Sequence, residues 1–318
     1  MWKSQVKFFG INCAGIKSKL KTFNTILNKM KPKLWMLQET KLKNNEQISC
    51  EALKHYQVYY KNRQESNGGG VAMGVDKDIE STLIREGEDG VEAISVKIVM
   101  KEIEIRAITA YGPQENALKC QKDQFWEFIE EEVNNAELEG EGVIIQFDGN
   151  LHAGSELIKG DPNKQNQNGR LFCELLSRNP HLSAVNALDI CEGIITRKRK
   201  IENKTEEAVL DFFIINDKMR PFIKKMVVDE QKEFTLINLA QVKKNNRLVE
   251  TDHNAIIVEM EFETEINKQN REELFNLKSK SGQDAYLKET EKNEDLLQVF
   301  QTNLSFDIQS LKWKKNLN

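Results

Sequence analysis

The chain has 318 residues, 39% of them hydrophobic, and a formal net charge of −4. This length allows one layered unit of about 250 residues or two domains, and no apolar stretch approaches the roughly 20 residues of a membrane helix. The five cysteines are scattered without a C-x-x-C pair, which argues against a disulfide framework and a structural zinc site. No signal-peptide core opens the sequence, which predicts an intracellular protein. The net charge is neutral evidence on nucleic-acid binding, because an acidic cleft and a basic rim can coexist.

Apolar periodicity predicts many short strands and a few helices. In chain order, the predicted strands are 6–11, 34–37, 71–75, 91–99, 103–110, 142–147, 209–215 and 255–262, and the predicted helices are 16–30, 125–133 and 171–176. Strands 91–99 and 103–110 surround a short turn and are predicted to form an antiparallel hairpin. Beyond about residue 263 the chain becomes rich in Asn, Lys and Glu without β-type runs. We therefore predict a domain over 1–263 and a linker or the start of another module over 264–318.

Polar residues stand at the ends of these predicted strands. They are Asn12, Glu39, Tyr111, Asp148, Asn150, Asp252 and His253. A rigid sheet can aim side chains from distant parts of the chain into one crevice, so this pattern predicts a functional site. Each residue taken alone also has an ordinary interpretation; Asn12 and Asn150, for example, suit turns because Asn tolerates a left-handed backbone.

Asp211 is harder to explain as an ordinary surface residue. It interrupts the apolar run 209–215, so its carboxylate is predicted to be partly buried and to need a partner. His253 is the obvious candidate, which favours an imidazole oriented by an aspartate.

A basic cluster, Arg-Lys-Arg-Lys at 197–200, precedes the Asp211 strand. Three interpretations stay open: a solvated loop, a loop that contacts phosphates beside a groove, or a weak nuclear-import signal.

The order of these residues resembles that of the endonuclease/exonuclease/phosphatase superfamily, which includes apurinic endonucleases, deoxyribonuclease I-like enzymes, inositol phosphatases and sphingomyelinases. The matching segments are 11–16, 37–40, 110–113, 148–150, 210–213 and 251–253. One such match would be weak, whereas six in the family's order are specific. The resemblance implies an α/β fold: a four-layer sandwich in which two mixed, mostly antiparallel β-sheets pack face to face and are flanked by helices.

Within that superfamily the chain is most similar to the apurinic-endonuclease-like domain of non-long-terminal-repeat (LINE-type) retrotransposon polyproteins. Segments 33–42, 68–73 and 148–154 are typical of that group, and 271–277 resembles the connector to its reverse transcriptase. The resemblance implies a fragment or a standalone derivative, since no polymerase follows within these residues. The family's Gly-Asp-Phe-Asn is Phe147-Asp148-Gly149-Asn150 here, which keeps the Asp–Asn spacing. Two family serines are replaced, one by Ala208 and one by Thr251.

The resemblance also implies roles for individual residues. Glu39, Asn12 and Asp252 would hold Mg²⁺, with Mn²⁺ as the alternative ion. Asp148, fixed by Asn150, would activate or position the attacking water. His253, oriented by Asp211, would donate hydrogen bonds to the phosphate, which Tyr111 would also contact. Three further residues are expected to line the substrate path: Asn168, Arg170 and Thr196.

The implied activity is magnesium-dependent nicking of double-stranded DNA, leaving a 3′-hydroxyl for target-primed reverse transcription. It implies a reverse transcriptase domain as partner in the full-length polyprotein, no membrane, and the nucleus as the place of action. Rival functions are an abasic-site repair endonuclease, a phosphatase or phosphodiesterase of the same fold acting on lipid or inositol phosphates, and a catalytically silent interaction module.

Overall fold

Two β-sheets form the centre of this computed structural model, which describes residues 4–63, 68–88, 90–201, 204–239 and 250–262. The strands are β1 Ser4–Asn12, β2 Leu34–Gln38, β3 Tyr56–Lys61, β4 Val71–Asp76, β5 Glu80–Glu86, β6 Glu92–Met100, β7 Ile103–Tyr111, β8 Gly142–Asp148, β9 Leu182–Ala184, β10 Cys191–Glu192, β11 Arg197–Ile201, β12 Lys204–Ala208, β13 Asp211–Asn216, β14 Ile223–Val228 and β15 Ile256–Phe262. The α-helices are α1 Leu20–Met30, α2 Lys119–Leu138 and α3 Gln167–Arg178. The predicted linker or module at 264–318 lies outside the described residues, so the boundary at 263 stays a prediction.

The sheets are mixed and mostly antiparallel. The first has the strand order β10-β14-β15-β1-β2-β4-β3 and the second β5-β6-β7-β8-β13-β9. Neighbouring strands run antiparallel except for the pairs β1–β2, β7–β8 and β10–β14. Strands β11 and β12 form a separate two-stranded ribbon.

Apolar side chains fill three layers of contact. Met36, Val96, Ile144 and Phe213 belong to the core between the two sheets. Helix α1 covers the outer face of the first sheet, where Phe23 meets the edge of the Trp35 ring. Helices α2 and α3 cover the outer face of the second sheet, where their aromatic rings pack on those of β8 and β13. This α-β-β-α arrangement confirms the predicted four-layer sandwich, and burial on both faces explains why the central strands are near-continuous apolar runs.

A buried polar bridge joins the two sheets beneath the candidate site. The Nε2 atom of Gln38 donates to Thr109 Oγ1 at 2.8 Å and to Gln146 Oε1 at 2.6 Å. Gly10 faces this bridge, and a Cβ there would lie 2.5 Å from the Gln146 side chain. Gln38 directly precedes Glu39 and Gln146 is two residues before Asp148, so the bridge sets the spacing between two site-bearing strand ends.

The structure corrects three details of the predicted elements. Residues 197–200 lie in β11 rather than in a loop, because their backbone pairs with that of β12. Both strands are polar, so no apolar alternation in the sequence indicated them. Asp211 begins β13 instead of interrupting it, and the first turn of the predicted helix 16–30 is a 3₁₀ turn at Lys17–Lys19. Strands β3, β5, β9, β10, β12 and β14 were not anticipated. Within the described part of the chain, no helix combines the length and apolarity needed to cross a membrane.

Candidate active site

The candidate site lies where neighbouring strands of the second sheet end together. Asp148, the last residue of β8, pairs in register with Tyr111 on β7 and with Asp211 on β13. The parallel β1–β2 pair of the first sheet delivers Asn12 and Glu39 to the same place. Sheet topology therefore gathers residues that are far apart in sequence.

Asp148, Asp211 and His253 form a buried cluster, and each is at most 5% exposed. His253 Nδ1 lies 2.8 Å from Asp211 Oδ2, and its Nε2 lies 3.8 Å from Asp148 Oδ2. His253 is thus the partner that the apolar surroundings of Asp211 predicted for its carboxylate. Among the described residues, Asp211 Oδ1 has no hydrogen-bond partner.

Burial and charge shift the proton affinities in this cluster. Burial disfavours the imidazolium, but the charge and hydrogen bond of Asp211 outweigh it and raise the pKa of His253 to about 9. Burial and the neighbouring Asp211 raise the pKa of Asp148 to about 7. The cluster therefore differs from ordinary surface carboxylates and imidazoles, as groups at functional sites often do.

Both carboxylate oxygens of Asp148 are held by nitrogen donors. Asn12 Nδ2 donates to Oδ2 at 2.7 Å, and the backbone N–H of Asn150 donates to Oδ1 at 2.9 Å. The Asn150 side chain instead donates to the Gly112 carbonyl, so it fixes Asp148 through the main chain. Asn150 has φ 45°, a left-handed conformation that Asn tolerates better than most residues.

Glu39 stands at the rim of this cluster, with its side chain 21% exposed. The Tyr111 hydroxyl donates to Glu39 Oε1 at 2.6 Å, and Lys41 Nζ lies 3.0 Å from Oε2. Burial alone would raise the pKa of Glu39, but these two contacts lower it. Burial and nearby carboxylates raise the pKa of Tyr111, so its hydroxyl keeps its proton and remains a donor.

Asp252 is the second rim carboxylate, with its side chain 29% exposed. Arg197 Nε donates to Asp252 Oδ2 at 2.8 Å, and the Lys198 N–H donates to the Asp252 carbonyl. Burial opposes ionisation of Asp252, but the charges of His253 and Arg197 lower its pKa. These contacts join the ribbon β11–β12 to the site. We call it the basic ribbon, because its first strand carries Arg197, Lys198, Arg199 and Lys200.

The rim residues suit a hard divalent cation. Glu39 and Asp252 offer partly exposed carboxylates held in the ionised form, a ligand type that Mg²⁺ accepts alongside its waters. Asn12 is buried, and its carboxamide oxygen already accepts the Ala14 N–H. Backbone contacts fix these residues together: the Gly15 N–H donates to the Glu39 carbonyl, and the Thr251 hydroxyl donates to the Asn12 carbonyl. The donor set therefore fits the ion implied by the sequence resemblance.

The buried cluster also offers groups that could ligate a metal. Asp148, Asp211 and His253 present ligand atoms within 4.8 Å of one another, a spacing that would admit a metal ion. Asn12 already donates to Asp148 Oδ2, and His253 Nδ1 already bonds Asp211 Oδ2, so an ion on those oxygens would have to share or displace these contacts.

Two residues expected along the substrate path are buried instead. Thr196 is 0% exposed, and its hydroxyl accepts the N–H groups of Leu210 and Asp211. Asn168 is 1% exposed and donates to the carbonyls of Pro113 and Asn150. Both support the loops that carry the site, because their short polar side chains satisfy backbone groups there. Arg170 is exposed on α3.

Several site features were not anticipated from the sequence. A cavity of about 530 Å³ opens beside Glu39 and Tyr111, and Arg63, Glu92 and Lys41 are among its lining residues. Arg63 pairs with Glu92, whose carboxylate also accepts the Gly70 N–H. A Gly-rich turn followed by a buried strand gave no signal for this pair, because Glu92 looks like one of many surface acids. The one signal that the sequence offered was Lys41, a cation two residues after Glu39.

Comparisons with solved structures identify the fold. The chain aligns with the endonuclease domain of TRAS1, a telomere-specific non-LTR retrotransposon, with a TM-score of 0.59 and 16% identity over 81% of this chain and 100% of that one. It aligns equally well (0.59, 16%, 81% and 100%) with the 3′ phosphatase NExo from Neisseria bound to a product DNA hairpin. AP endonuclease LMAP from Leishmania major gives a TM-score of 0.61 and 14% identity over 81% of this chain and 88% of that one. No protein-family model and no curated protein sequence matches the chain. The protein therefore has the endonuclease/exonuclease/phosphatase fold.

Proposed function

We propose that the protein is a magnesium-dependent phosphodiesterase that nicks double-stranded DNA and leaves a 3′-hydroxyl. One observation carries this proposal: two partly exposed carboxylates, Glu39 and Asp252, flank the buried cluster of Asp148, Asp211 and His253, and the charge of His253 lowers the pKa of both. A metal site next to an oriented acid–imidazole pair suits hydrolysis of a phosphate ester.

The proposed roles follow from the contacts. When bound at the rim, Mg²⁺ would polarise the phosphoryl oxygen and stabilise the leaving alkoxide. Asp148, fixed by two nitrogen donors, would position the attacking water and take its proton. His253 Nδ1 is held by Asp211, which leaves Nε2 to donate to a phosphoryl oxygen as negative charge develops. Tyr111 would present its hydroxyl to the same phosphate from beside Glu39.

The basic ribbon supports a DNA partner. Lys198, Arg199 and Lys200 are exposed on β11, and Arg197 at its start contacts Asp252 in the site. Exposed cations beside a phosphodiesterase centre suit a polyanionic duplex better than a small phosphate ester, because they can neutralise several phosphates at once.

Target-primed reverse transcription is the biological setting that we infer for this nick. The sequence resemblance to LINE-type endonucleases supports it, as does the alignment with the whole TRAS1 endonuclease domain. In that setting the partner is a reverse transcriptase domain, which would extend the 3′-hydroxyl, and the place of action is the nucleus.

Nicking of a supercoiled plasmid tests the proposal. Wild-type protein with Mg²⁺ should produce open circles, and EDTA or His253→Ala should abolish them. His181→Ala is the matched control, because His181 is 23% exposed and lies near Glu137, outside the site. Extension of the nick by a DNA polymerase would report the 3′-hydroxyl.

Each rival function predicts a different result. Preference for abasic over intact duplex would indicate a repair endonuclease. Release of phosphate from an inositol phosphate without plasmid nicking would indicate a phosphatase. A folded protein inactive on all three substrates with Mg²⁺ or Mn²⁺ would contradict the proposed activity.

A further inference from the structure

Each carboxylate at the rim of the site already has a cationic partner. Lys41 Nζ lies 3.0 Å from Glu39 Oε2, and Arg197 Nε lies 2.8 Å from Asp252 Oδ2. The lysine side chain is 42% exposed and the arginine side chain 26%. A divalent ion that binds these two acids must compete with the two side-chain cations for the same carboxylates.

Both cations belong to segments on which a polyanion would lie. Arg197 begins β11, whose following residues Lys198, Arg199 and Lys200 are exposed. Lys41 lies in the loop after Glu39 and lines the cavity beside Tyr111. A phosphate approaching the site would therefore meet these cations at its edge, and charge-assisted hydrogen bonds to phosphate are of the same strength class as those to carboxylate.

We propose that Lys41 and Arg197 are exchangeable counter-ions of the metal site, which neutralise Glu39 and Asp252 in the free protein and transfer to phosphates of bound DNA. This inference rests on the function proposed above for the same site. It makes binding of DNA and of the divalent ion mutually favourable, because DNA removes the competitors of the metal. By linkage, the metal raises the DNA affinity by the same factor.

The two ion pairs should contribute unequally. Arg197 is the more buried of the two cations, so its pair with Asp252 is less screened by water than the Lys41–Glu39 pair. Removing the positive charge of Arg197 should consequently favour metal binding more than removing that of Lys41.

Calorimetric titration of the DNA-free protein with Mn²⁺ tests the proposal without measuring catalysis. Arg197→Met should lower the Kd for Mn²⁺ by about tenfold, within the usual range of coupling between sites, and Lys41→Met should lower it less. Lys198→Met is the matched control: it removes the same charge from the next residue of β11, where Lys198 pairs with Glu207 rather than with a rim acid. It should leave the Kd within about twofold of wild type.

A second titration measures the coupling itself. In a His253→Ala background, which prevents cleavage, the Kd for Mn²⁺ is compared with and without a short DNA duplex. The factor by which the duplex lowers the Kd for Mn²⁺ should be smaller when Arg197→Met is added.

The direction of the change separates this role from a merely structural one. If Arg197 only held Asp252 in position against β11, its removal would loosen the site and weaken metal binding. Unchanged or weaker Mn²⁺ binding by folded Arg197→Met and Lys41→Met proteins would overturn the proposal, even though binding lost in Glu39→Gln would still support the metal site. Failure of wild-type protein to bind Mn²⁺ at all would overturn the metal site and this inference together.

Discussion

Two buried charge clusters lie along the neighbouring strands β7 and β8. In the first, Arg106 lies 3.0 Å from Glu132 and 2.7 Å from Glu141, and all three are at most 2% exposed. In the second, at the strand ends that carry the candidate site, Asp148 and Asp211 share a single imidazole. Arg106 and Tyr111 are about 17 Å apart along β7, at about 3.3 Å per residue. The same strands therefore support two clusters of similar burial.

Charge balance distinguishes the two clusters. Each acid of the Arg106 cluster faces a cation, with Lys97 providing a second one 2.6 Å from Glu141. In the site cluster, two carboxylates face the one imidazole of His253, and the pKa values of Asp148 and His253 are raised. Buried charge alone therefore does not indicate function. A better indication of function is a buried cluster whose charges do not balance and that lies beside partly exposed carboxylates.

The largest contrast is expected from Asp148→Asn. Removing the carboxylate should lower the nicking rate by about 10³-fold, because the attacking water loses its base and its anchor. Its stability should change little, since relief of the repulsion between Asp148 and Asp211 offsets the one nitrogen donor that the new amide leaves without an acceptor. Single-turnover nicking and thermal melting measure the two effects. A large loss of stability together with the loss of activity would indicate that Asp148 supports the fold and has no separate role in the reaction.

Arg106→Met should show the opposite pattern. It leaves Glu132 and Glu141 buried without their main partner, which should cost about 3–5 kcal/mol of unfolding free energy. Nicking per folded molecule should stay near wild type, because Arg106 lies five residues before Tyr111 on β7, away from the candidate site. Urea unfolding followed by nicking at low temperature checks both parts. Reduced activity in fully folded Arg106→Met protein would contradict the separation of the two clusters.

Thr196→Val tests the support behind Asp211. The hydroxyl accepts two backbone N–H groups, so valine leaves both unsatisfied in a buried place and should cost about 1–3 kcal/mol. A several-fold loss of nicking should accompany it as Asp211 shifts. Thr205→Val on the exposed ribbon is the control and should change stability by no more than about 0.5 kcal/mol. Equal effects of the two substitutions would exclude a special role for Thr196.

The smallest effect is expected from Lys200→Ala on the ribbon. If Lys200 neutralises one phosphate, its loss should reduce the slope of log affinity against log salt by about 0.9. The nicking rate at saturating DNA should not change. Lys224→Ala, an exposed lysine on β14, serves as the control. A salt slope altered equally by both substitutions would exclude a specific contact by the ribbon.

Sequence patterns alone were sufficient for much of the fold and for one contact of the site. Apolar runs buried on both faces predicted the central strands, and the order of polar residues at their ends predicted the four-layer sandwich through a family resemblance. Asp211 in an apolar run predicted a buried acid with His253 as its partner, because a lone buried carboxylate is too costly to leave unpaired. The individual roles assigned to Glu39, Asn12 and Asp252 stay predictions.

Only the tertiary structure decided which polar residues are exposed at the candidate site and which are buried behind it. Thr196 and Asn168 have the same polar character as exposed residues, and their backbone partners lie in other segments of the chain. The ribbon β11–β12 and the pairs Arg197–Asp252 and Arg63–Glu92 likewise depend on long-range contacts. Local periodicity records which face of an element is buried. It does not indicate which distant charged residues pair with each other, and that pairing sets the electrostatics of this site.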